Sequence, residues 1–218
     1  MPFRKLGSVE GKKAIGMLLA QYPGAHYYLN FKTDIDLLAA AIISAQTRDE
    51  VTNSVTPDLF KRYKTVKDYA NADEQELYDL IKRVTFAGNK AKNIIKACKI
   101  INAQYGAKIP RTMEGLTSLP GVGRKTANTV LINAYGIAQG IPVDTWVIKL
   151  SHRIGLSDKE DPDGIEQDMM KVVGRKDWKK ITYVFKNHGK ATCQSQVPVC
   201  SKCILSNMCP KNGVTKSA

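Results

Sequence analysis

Several kinds of segment are missing from this sequence, and their absence limits the classes of protein that it can belong to. No stretch approaches the roughly 18 apolar residues of a membrane-spanning helix, which argues against an integral membrane protein. No run alternates apolar and polar residues over strand length before a hairpin turn, which argues against a β-sheet protein. Neither a fixed-period repeat nor a linker rich in glycine, serine and proline divides the chain. We therefore predict an all-α globular fold.

Cysteine is scarce and unevenly placed. The 218 residues contain five cysteines, and four of them lie in the C-terminal segment that begins at Cys193. An odd total gathered at one end does not fit a secreted disulfide scaffold and indicates a metal or cluster site in a reducing compartment. Cys98 stands in an apolar helical pattern and is predicted to be a buried small hydrophobe. The short apolar run 14–20 follows two lysines, but no small-residue cleavage site comes after it. We expect the first amphipathic helix of a cytoplasmic protein there, not a signal peptide.

Positive charge is what the sequence has in excess. Its 33 lysines and arginines outnumber 20 acidic residues, which gives a formal net charge of +13. Such an excess favours a polyanionic partner, with nucleic acid as the first expectation and an anionic membrane surface as the second.

Helix signals follow one another along most of the chain. Aspartates and capping-box pairs mark predicted starts, apolar residues recur at helical spacing, and glycines mark predicted ends. The predicted helices are 35–46 capped by Asp34, one from Asp73 with Glu76, 90–105 before Gly106, one from Asp144 to Gly155, one opened by Asp163 with Glu166 and closed near Gly174, and a last one from Asp177 to near Gly189.

The segment LPGVGRKTA, residues 119–127, carries the sharpest chemical signal. Gly121 and Gly123 allow a tight turn with exposed N–H groups directly before a helix. The positive end of the helix dipole points to the same place, so the segment predicts a phosphate site. Lys125 lies in the first helical turn, where a cation opposes the dipole. A residue that breaks a local rule is a candidate for function, although a solvated lysine that contacts phosphate is the simpler interpretation.

Asp144 follows in the sequence Val143-Asp144-Thr145. It fits the N-cap of the next helix, because a carboxylate accepts hydrogen bonds from the first free N–H groups. The alternative is a catalytic carboxylate that faces the same cleft as Lys125. Both interpretations remain open at this point.

The C-terminal cysteines Cys193, Cys200, Cys203 and Cys209 are spaced C-x6-C-x2-C-x5-C. Structural zinc sites more often use two short cysteine pairs, and this segment contains one. The uneven spacing fits a cubane cluster, in which each of four irons takes one thiolate at a different corner.

LPGVGRKTAN, PVDT and the four spaced cysteines together resemble the endonuclease III family of helix-hairpin-helix DNA glycosylases. The resemblance implies a six-helix domain at 27–138 with the hairpin, and a discontinuous domain at 1–26 and 139–218. It also implies a [4Fe–4S] cluster held by the four cysteines, which decides against zinc and which we expect to be structural. The protein is expected to be a monomer, of prokaryotic type and associated with the nucleoid, with a nuclear or organellar location left open.

The implied function is that of a bifunctional DNA N-glycosylase and AP lyase of base excision repair. It would remove oxidised pyrimidines from double-stranded DNA and cut 3′ to the abasic site by β-elimination. Lys125 is then the expected nucleophile and Asp144 the carboxylate that stabilises charge at the sugar. The expected DNA contacts are Gly121, Val122, Gly123, Arg124 and Lys190, with Gln46 and Phe86 filling the gap left by the everted nucleotide.

On sequence alone, simpler interpretations of two of these residues compete: Gln46 as a polar residue at a helix C-terminus and Phe86 as a core aromatic. Two departures from the family pattern also stand out. The six residues between Cys193 and Cys200 carry no charge, so nearby lysines are expected to replace the usual basic contacts. Trp146 stands where relatives have a histidine, and an indole cannot exchange a proton as imidazole does.

Competing functions are a monofunctional mismatch thymine or uracil glycosylase and a non-catalytic iron–sulfur DNA-binding protein. Lys125 argues against the first, and the pair Lys125 and Asp144 against the second. An adenine glycosylase is less favoured, because no room for its extra domain follows the cysteines. The sequence leaves the preferred lesion open.

Overall fold

The computed structural model describes residues 2–218 and confirms the predicted all-α fold, since helices are the only regular elements in those residues. Within the same range, no helix is both long enough and apolar enough to cross a membrane. Short 3₁₀ turns cover Arg175–Asp177 and Cys200–Lys202. The α-helices are α1 Ser8–Gln21, α2 Asp34–Ile43, α3 Asp49–Arg62, α4 Val66–Ala70, α5 Glu74–Ile81, α6 Ala87–Gln104, α7 Met113–Thr117, α8 Arg124–Tyr135, α9 Thr145–Ile154, α10 Pro162–Val172 and α11 Ile181–Ala191.

Backbone contacts divide the chain into two compact units. One is Tyr28–Gln139 and contains α2 to α8. The other joins the described residues up to Tyr27 with Gly140–Ala218, and contains α1 and α9 to α11. The functional domain limits drawn from the family resemblance stay a prediction.

Helix α2 is the centre of the Tyr28–Gln139 unit. Every residue from Ile35 to Ile43 is buried, and the helix packs against α3, α6 and α8. Its sequence is apolar on nearly all faces, and this is the pattern of a helix that neighbours surround. The prediction of Asp34 as its N-cap is wrong. Thr33 caps the helix by accepting from Asp36 N, while Asp36 accepts from Thr33 N at 3.1 Å in a reciprocal box.

Several other predicted helix ends are confirmed by side-chain geometry. Asp73 caps α5 by accepting from Glu76 N at 2.9 Å, and Asp144 caps α9. Gly155 ends α9 in the left-handed conformation that glycine adopts most easily, with φ +79°. Cys98 is 1% exposed, as predicted, and burial raises the pKa of its thiol to about 12.

Three further predicted helix starts are wrong. Helix α10 is capped by Asp161, not opened by Asp163, because Pro162 is already pre-set for the first helical position. Asp177 ends a 3₁₀ turn, and the last long helix starts only at Ile181. Helix α6 begins at Ala87, three residues earlier than predicted. Its N-cap is Phe86, which has a left-handed backbone conformation. Helix α2 also ends at Ile43, before the predicted Gln46.

The unit containing the cysteines ties its N-terminal segment to α10 through charge. Asp168 is 8% exposed and accepts from Lys5 at 3.1 Å, from Lys171 at 3.0 Å and from Ser157 at 3.0 Å. Burial alone raises the pKa of this carboxyl, but the three donors outweigh it and hold the pKa at about 2. Asp168 is therefore an ionised structural anchor.

Candidate active site and cysteine pocket

The hairpin between α7 and α8 turns at a glycine in a backbone conformation that other residues adopt only with strain. Gly121 has φ +79°, and a Cβ there would come within 3.1 Å of the Asn93 side chain. Val122 is 6% exposed and fixes the turn, with its N–H donating to Leu119 O at 3.1 Å. The Val122 N–H is thus used inside the protein, which leaves the glycines to bind any phosphate.

At Gly123, unlike Gly121, no neighbouring protein atom requires the residue to be glycine. Its backbone is extended, and a Cβ at this position would meet nothing within 4 Å. Gly123 is the N-cap of α8, so it lies directly next to the free N–H groups of the first helical turn. Lys125 lies in that first turn, as predicted, and its side chain is exposed. The hairpin therefore presents backbone donors and an exposed amine on one short segment.

Gln46 and Phe86 share an unusual backbone conformation. Both are non-glycine residues with positive φ, 53° and 56°, and both are exposed. Gln46 lies three residues beyond the end of α2, and Phe86 is the left-handed N-cap of α6. The interpretation of Phe86 as a core aromatic is wrong, because the residue is 61% exposed. A large apolar side chain held in solvent in a strained conformation indicates a contact outside the protein.

Asp144 holds the start of α9. Its Oδ1 accepts from the N–H groups of Trp146 and Val147, both at 2.9 Å, so the predicted cap is confirmed. These two hydrogen bonds fix the orientation of the carboxylate on a rigid element. Lys125 and Asp144 belong to different compact units, and their pairing stays a prediction.

The four C-terminal cysteines line a single pocket together with residues of α9 and α11. All four are partly buried, and burial raises the pKa of the Cys209 thiol to about 11. In residues 2–218 no three or more His, Cys, Asp or Glu side chains are grouped closely enough to hold a single metal ion. The four cysteines share the lining of one space.

Arg153 organises the loop that carries Cys193, a role that no sequence pattern predicted. The residue is 9% exposed, and its guanidinium donates to the carbonyls of Cys193 at 3.2 Å, Gln194 at 2.7 Å and Ser195 at 2.8 Å. It also lies 3.6 Å from the Cys193 sulfur, and Leu205 N donates to the Cys203 sulfur at 3.4 Å. Donors of this kind stabilise thiolate ligands.

Comparison with known proteins agrees with this geometry. The sequence profile of the HhH-GPD superfamily base excision DNA repair protein matches residues 39–175. Endonuclease III from Synechocystis sp. is 43% identical over 209 residues, which are 95% of this chain and 95% of that protein. Endonuclease III from Bacillus subtilis is 38% identical over 189 residues, 86% of each chain. The chain belongs to the endonuclease III family.

Solved structures place the fold in the same group. A trapped endonuclease III–DNA covalent intermediate superimposes with a TM-score of 0.90 at 33% identity and covers 94% of this chain and 97% of its own. A thermostable thymine-DNA glycosylase superimposes with a TM-score of 0.83 but is 18% identical over 93% of this chain and 96% of its own, which shows a shared fold alone. The predicted family and helix-hairpin-helix fold are confirmed, and so is the enzyme class, a bifunctional DNA glycosylase and AP lyase of base excision repair.

This endonuclease III family member departs from the expected pattern around Trp146. The indole packs against the bare α-carbon of Gly189 in α11, and Lys149 lies over it at 5.7 Å from the ring centroid. Lys149 also donates to Ser195 Oγ at 2.6 Å in the loop that carries no charge of its own. Lys190 is exposed and lines an open pocket with Trp146 and this loop. The sequence predicted a contact for Lys190 but none for Lys149, because the position of Lys149 depends on α9 and the loop being folded together.

Proposed function

We propose that the protein excises oxidised pyrimidines from duplex DNA and then cuts the strand 3′ to the abasic site, with Lys125 as the nucleophile. The observation that carries the proposal is the exposed Lys125 amine at the hairpin, in a chain whose 33% identical structural neighbour is a covalent enzyme–DNA intermediate. A covalent intermediate requires a nucleophile, and an exposed lysine beside backbone donors meets that need.

The proposed reaction begins when neutral Lys125 attacks C1′ of the everted nucleotide. The C1′–N bond to the base breaks, and the base leaves with its electron pair and takes up a proton. Opening of the sugar ring gives an imine between Lys125 and C1′, which acidifies the C2′ proton. Loss of that proton expels the 3′ phosphate, and water then hydrolyses the imine to release Lys125.

Asp144 is proposed to stabilise the positive charge that develops at the sugar and to assist proton transfer. Two backbone N–H donors at 2.9 Å hold its carboxylate on the N-terminus of α9. A group fixed before the reaction loses no free energy in reorienting during it, which supports a role at a charged transition state.

DNA binding is proposed to use the hairpin and the two left-handed residues. The N–H groups of Gly121 and Gly123 would bind a backbone phosphate, with Arg124 and Lys190 adding charge. The open space around Gly123 supports a close approach of that phosphate. Gln46 and Phe86 would enter the duplex and fill the position of the everted nucleotide, as their exposure favours.

A [4Fe–4S] cluster is proposed for the pocket of Cys193, Cys200, Cys203 and Cys209. The donor set fits it: four thiols surround one space, and Arg153 and the Leu205 N–H point at two of the sulfurs. The bound cluster would hold the C-terminal loop in place, and the proposed reaction needs no electron from it. We further propose that the two compact units are the two domains of the fold. We also propose that the protein acts in the cytoplasm, at the nucleoid.

Borohydride trapping on duplex DNA with one oxidised pyrimidine tests the proposal. The intact protein should give a covalent adduct, and Lys125→Ala should lose the adduct and strand cutting while still binding DNA. Lys96→Ala, which removes an exposed lysine from α6, is the matched control and should trap normally. Base release without an adduct would support a monofunctional glycosylase, and binding without either product a non-catalytic protein.

A further inference from the structure

Lys90 is a buried cation for which the reaction described above has no use. It lies in the second turn of α6, only 5% exposed, and its backbone N–H donates to Phe86 O at 3.1 Å. Few lysines are buried to this extent unless their three N–H donors all find acceptors. The acceptors therefore show what the residue holds together.

The ammonium has three oxygen acceptors around the turn that carries Gln46. Lys90 Nζ lies 2.6 Å from Ile43 O, 2.6 Å from Ala45 O and 2.8 Å from Thr47 Oγ1. Ile43 O belongs to the last turn of α2, whose carbonyls lack partners within the helix. Ala45 and Thr47 stand on either side of Gln46. The cation thus fixes the backbone before and after that residue.

The same contacts reach Phe86. Thr47 Oγ1, which accepts from Lys90, also accepts from Thr85 N at 3.2 Å, and Thr85 directly precedes Phe86. Gln46 and Phe86 are two of the four non-glycine residues with positive φ among the described residues. Each strained position persists only where its surroundings hold it. All of these residues lie within the Tyr28–Gln139 unit.

We propose that Lys90 is a positioning residue that fixes the separation and orientation of Gln46 and Phe86, so that both side chains enter the duplex together. It does so through Thr47 and the two carbonyls, without touching DNA. This inference rests on the proposed insertion of Gln46 and Phe86.

The charged form of Lys90 suits this role. Burial lowers the pKa of Lys90 to about 8, so the group is still mainly an ammonium at neutral pH. An ammonium has one N–H for each of the three acceptors, whereas a neutral amine has two. Methionine has a similar length and no donor, so Lys90→Met removes the three hydrogen bonds while filling the space.

The test compares strand cutting on two abasic substrates. A duplex abasic site must be everted and its gap filled, whereas a single-stranded abasic site is already accessible. Lys90→Met should cut the duplex about 30- to 100-fold more slowly, because a misplacement of about 1 Å costs up to about 100-fold. It should cut the single strand at the rate of the unaltered protein. A purely structural defect would slow both substrates equally.

A spectroscopic readout follows insertion directly. A 2-aminopurine placed next to the lesion brightens when its neighbours unstack, and saturating Lys90→Met should produce a much smaller increase than the intact protein. Lys99→Met removes an exposed lysine from the same helix and should leave both readouts unchanged. Thr47→Val keeps the shape and removes the bridging oxygen. It should slow duplex cutting about tenfold, or about 1.4 kcal/mol.

Two results would overturn the inference. One is an unchanged ratio of duplex to single-strand rates in both Lys90→Met and Thr47→Val. The other is an equal loss on both substrates with normal 2-aminopurine brightening. Failure of the unaltered protein to cut either substrate would instead overturn the proposed function, so the two failures are distinguishable.

Discussion

Replacing Gly189 by alanine tests how Trp146 is held beside Asp144, the carboxylate that we propose to be catalytic. A Cβ at Gly189 would overlap three carbons of the Trp146 ring, all within 3.0 Å. Gly189 is buried in α11, and Lys149 lies over the indole. The rigid ring must therefore shift, or the two helices must separate, to make room for one methyl group.

The magnitude follows from two opposing effects. Overpacking a well-filled contact costs about 1–3 kcal/mol. Alanine is a better helix former than glycine, which returns about 1 kcal/mol. We expect Gly189→Ala to lower the free energy of unfolding by up to about 2 kcal/mol. Gly16→Ala is the matched control, because that position is in helix α1 with nothing within 4 Å of the added Cβ. It should raise the free energy of unfolding by about 0.5–1 kcal/mol.

Urea unfolding followed by helical circular dichroism measures both variants. The decisive experiment adds Trp146→Ala to each, since removing the indole removes the overlap. In that background Gly189→Ala should become neutral or stabilising, which gives a coupling energy of about 1–3 kcal/mol. The backbone N–H of Trp146 donates to Asp144 Oδ1 at 2.9 Å, so a shift of Trp146 in Gly189→Ala should also slow base release. If Gly189→Ala is as stable as Gly16→Ala, the indole is not held by Gly189 and the reasoning fails.

Two further predictions concern the unit that contains the cysteines. Asp168 has its pKa lowered from 3.8 to about 2, so its stabilising effect is complete above about pH 4 and is lost as the pH falls towards 2. Asp168→Asn should therefore cost about 2 kcal/mol at pH 7 and about half of that at pH 3 in urea unfolding, and an equal cost at both would contradict the ionised anchor. The purified protein should be brown, with about four irons per chain and a broad absorption band near 400 nm, and a colourless protein loaded with zinc would refute the cluster assignment.

Local chemistry explains which features the sequence revealed. The hairpin turn, the Asp144 cap and the Gly155 stop depend on residues within a few positions of one another, and their patterns are readable without a fold. The start of α10 was readable too, because Pro162 follows Asp161, but Asp163 with Glu166 gave a competing capping signal. Asp177 was misleading because it is the last residue of the 3₁₀ turn Arg175–Asp177, and the α-helix begins only at Ile181.

Long-range contacts explain what the sequence concealed. Lys90 is 43 to 47 positions from its acceptors, and Arg153 is 40 to 42 positions from the carbonyls that it binds. No local rule separates such residues from the other basic side chains of the chain. The exposure of Phe86 was likewise hidden, because an aromatic residue ahead of an apolar helix is usually in the core.

The buried cations also change how the net charge should be understood. A formal charge of +13 suggests a surface that neutralises phosphates, but Lys90 and Arg153 are 5% and 9% exposed and donate to carbonyl oxygens inside the protein. A cation in such a place releases no counterions from DNA, so it adds nothing to the salt-dependent part of binding. Its contribution is to hold a loop in a conformation that the backbone would not keep alone. In this protein, therefore, part of the positive charge that indicates DNA binding acts by shaping the surfaces that we propose meet the DNA.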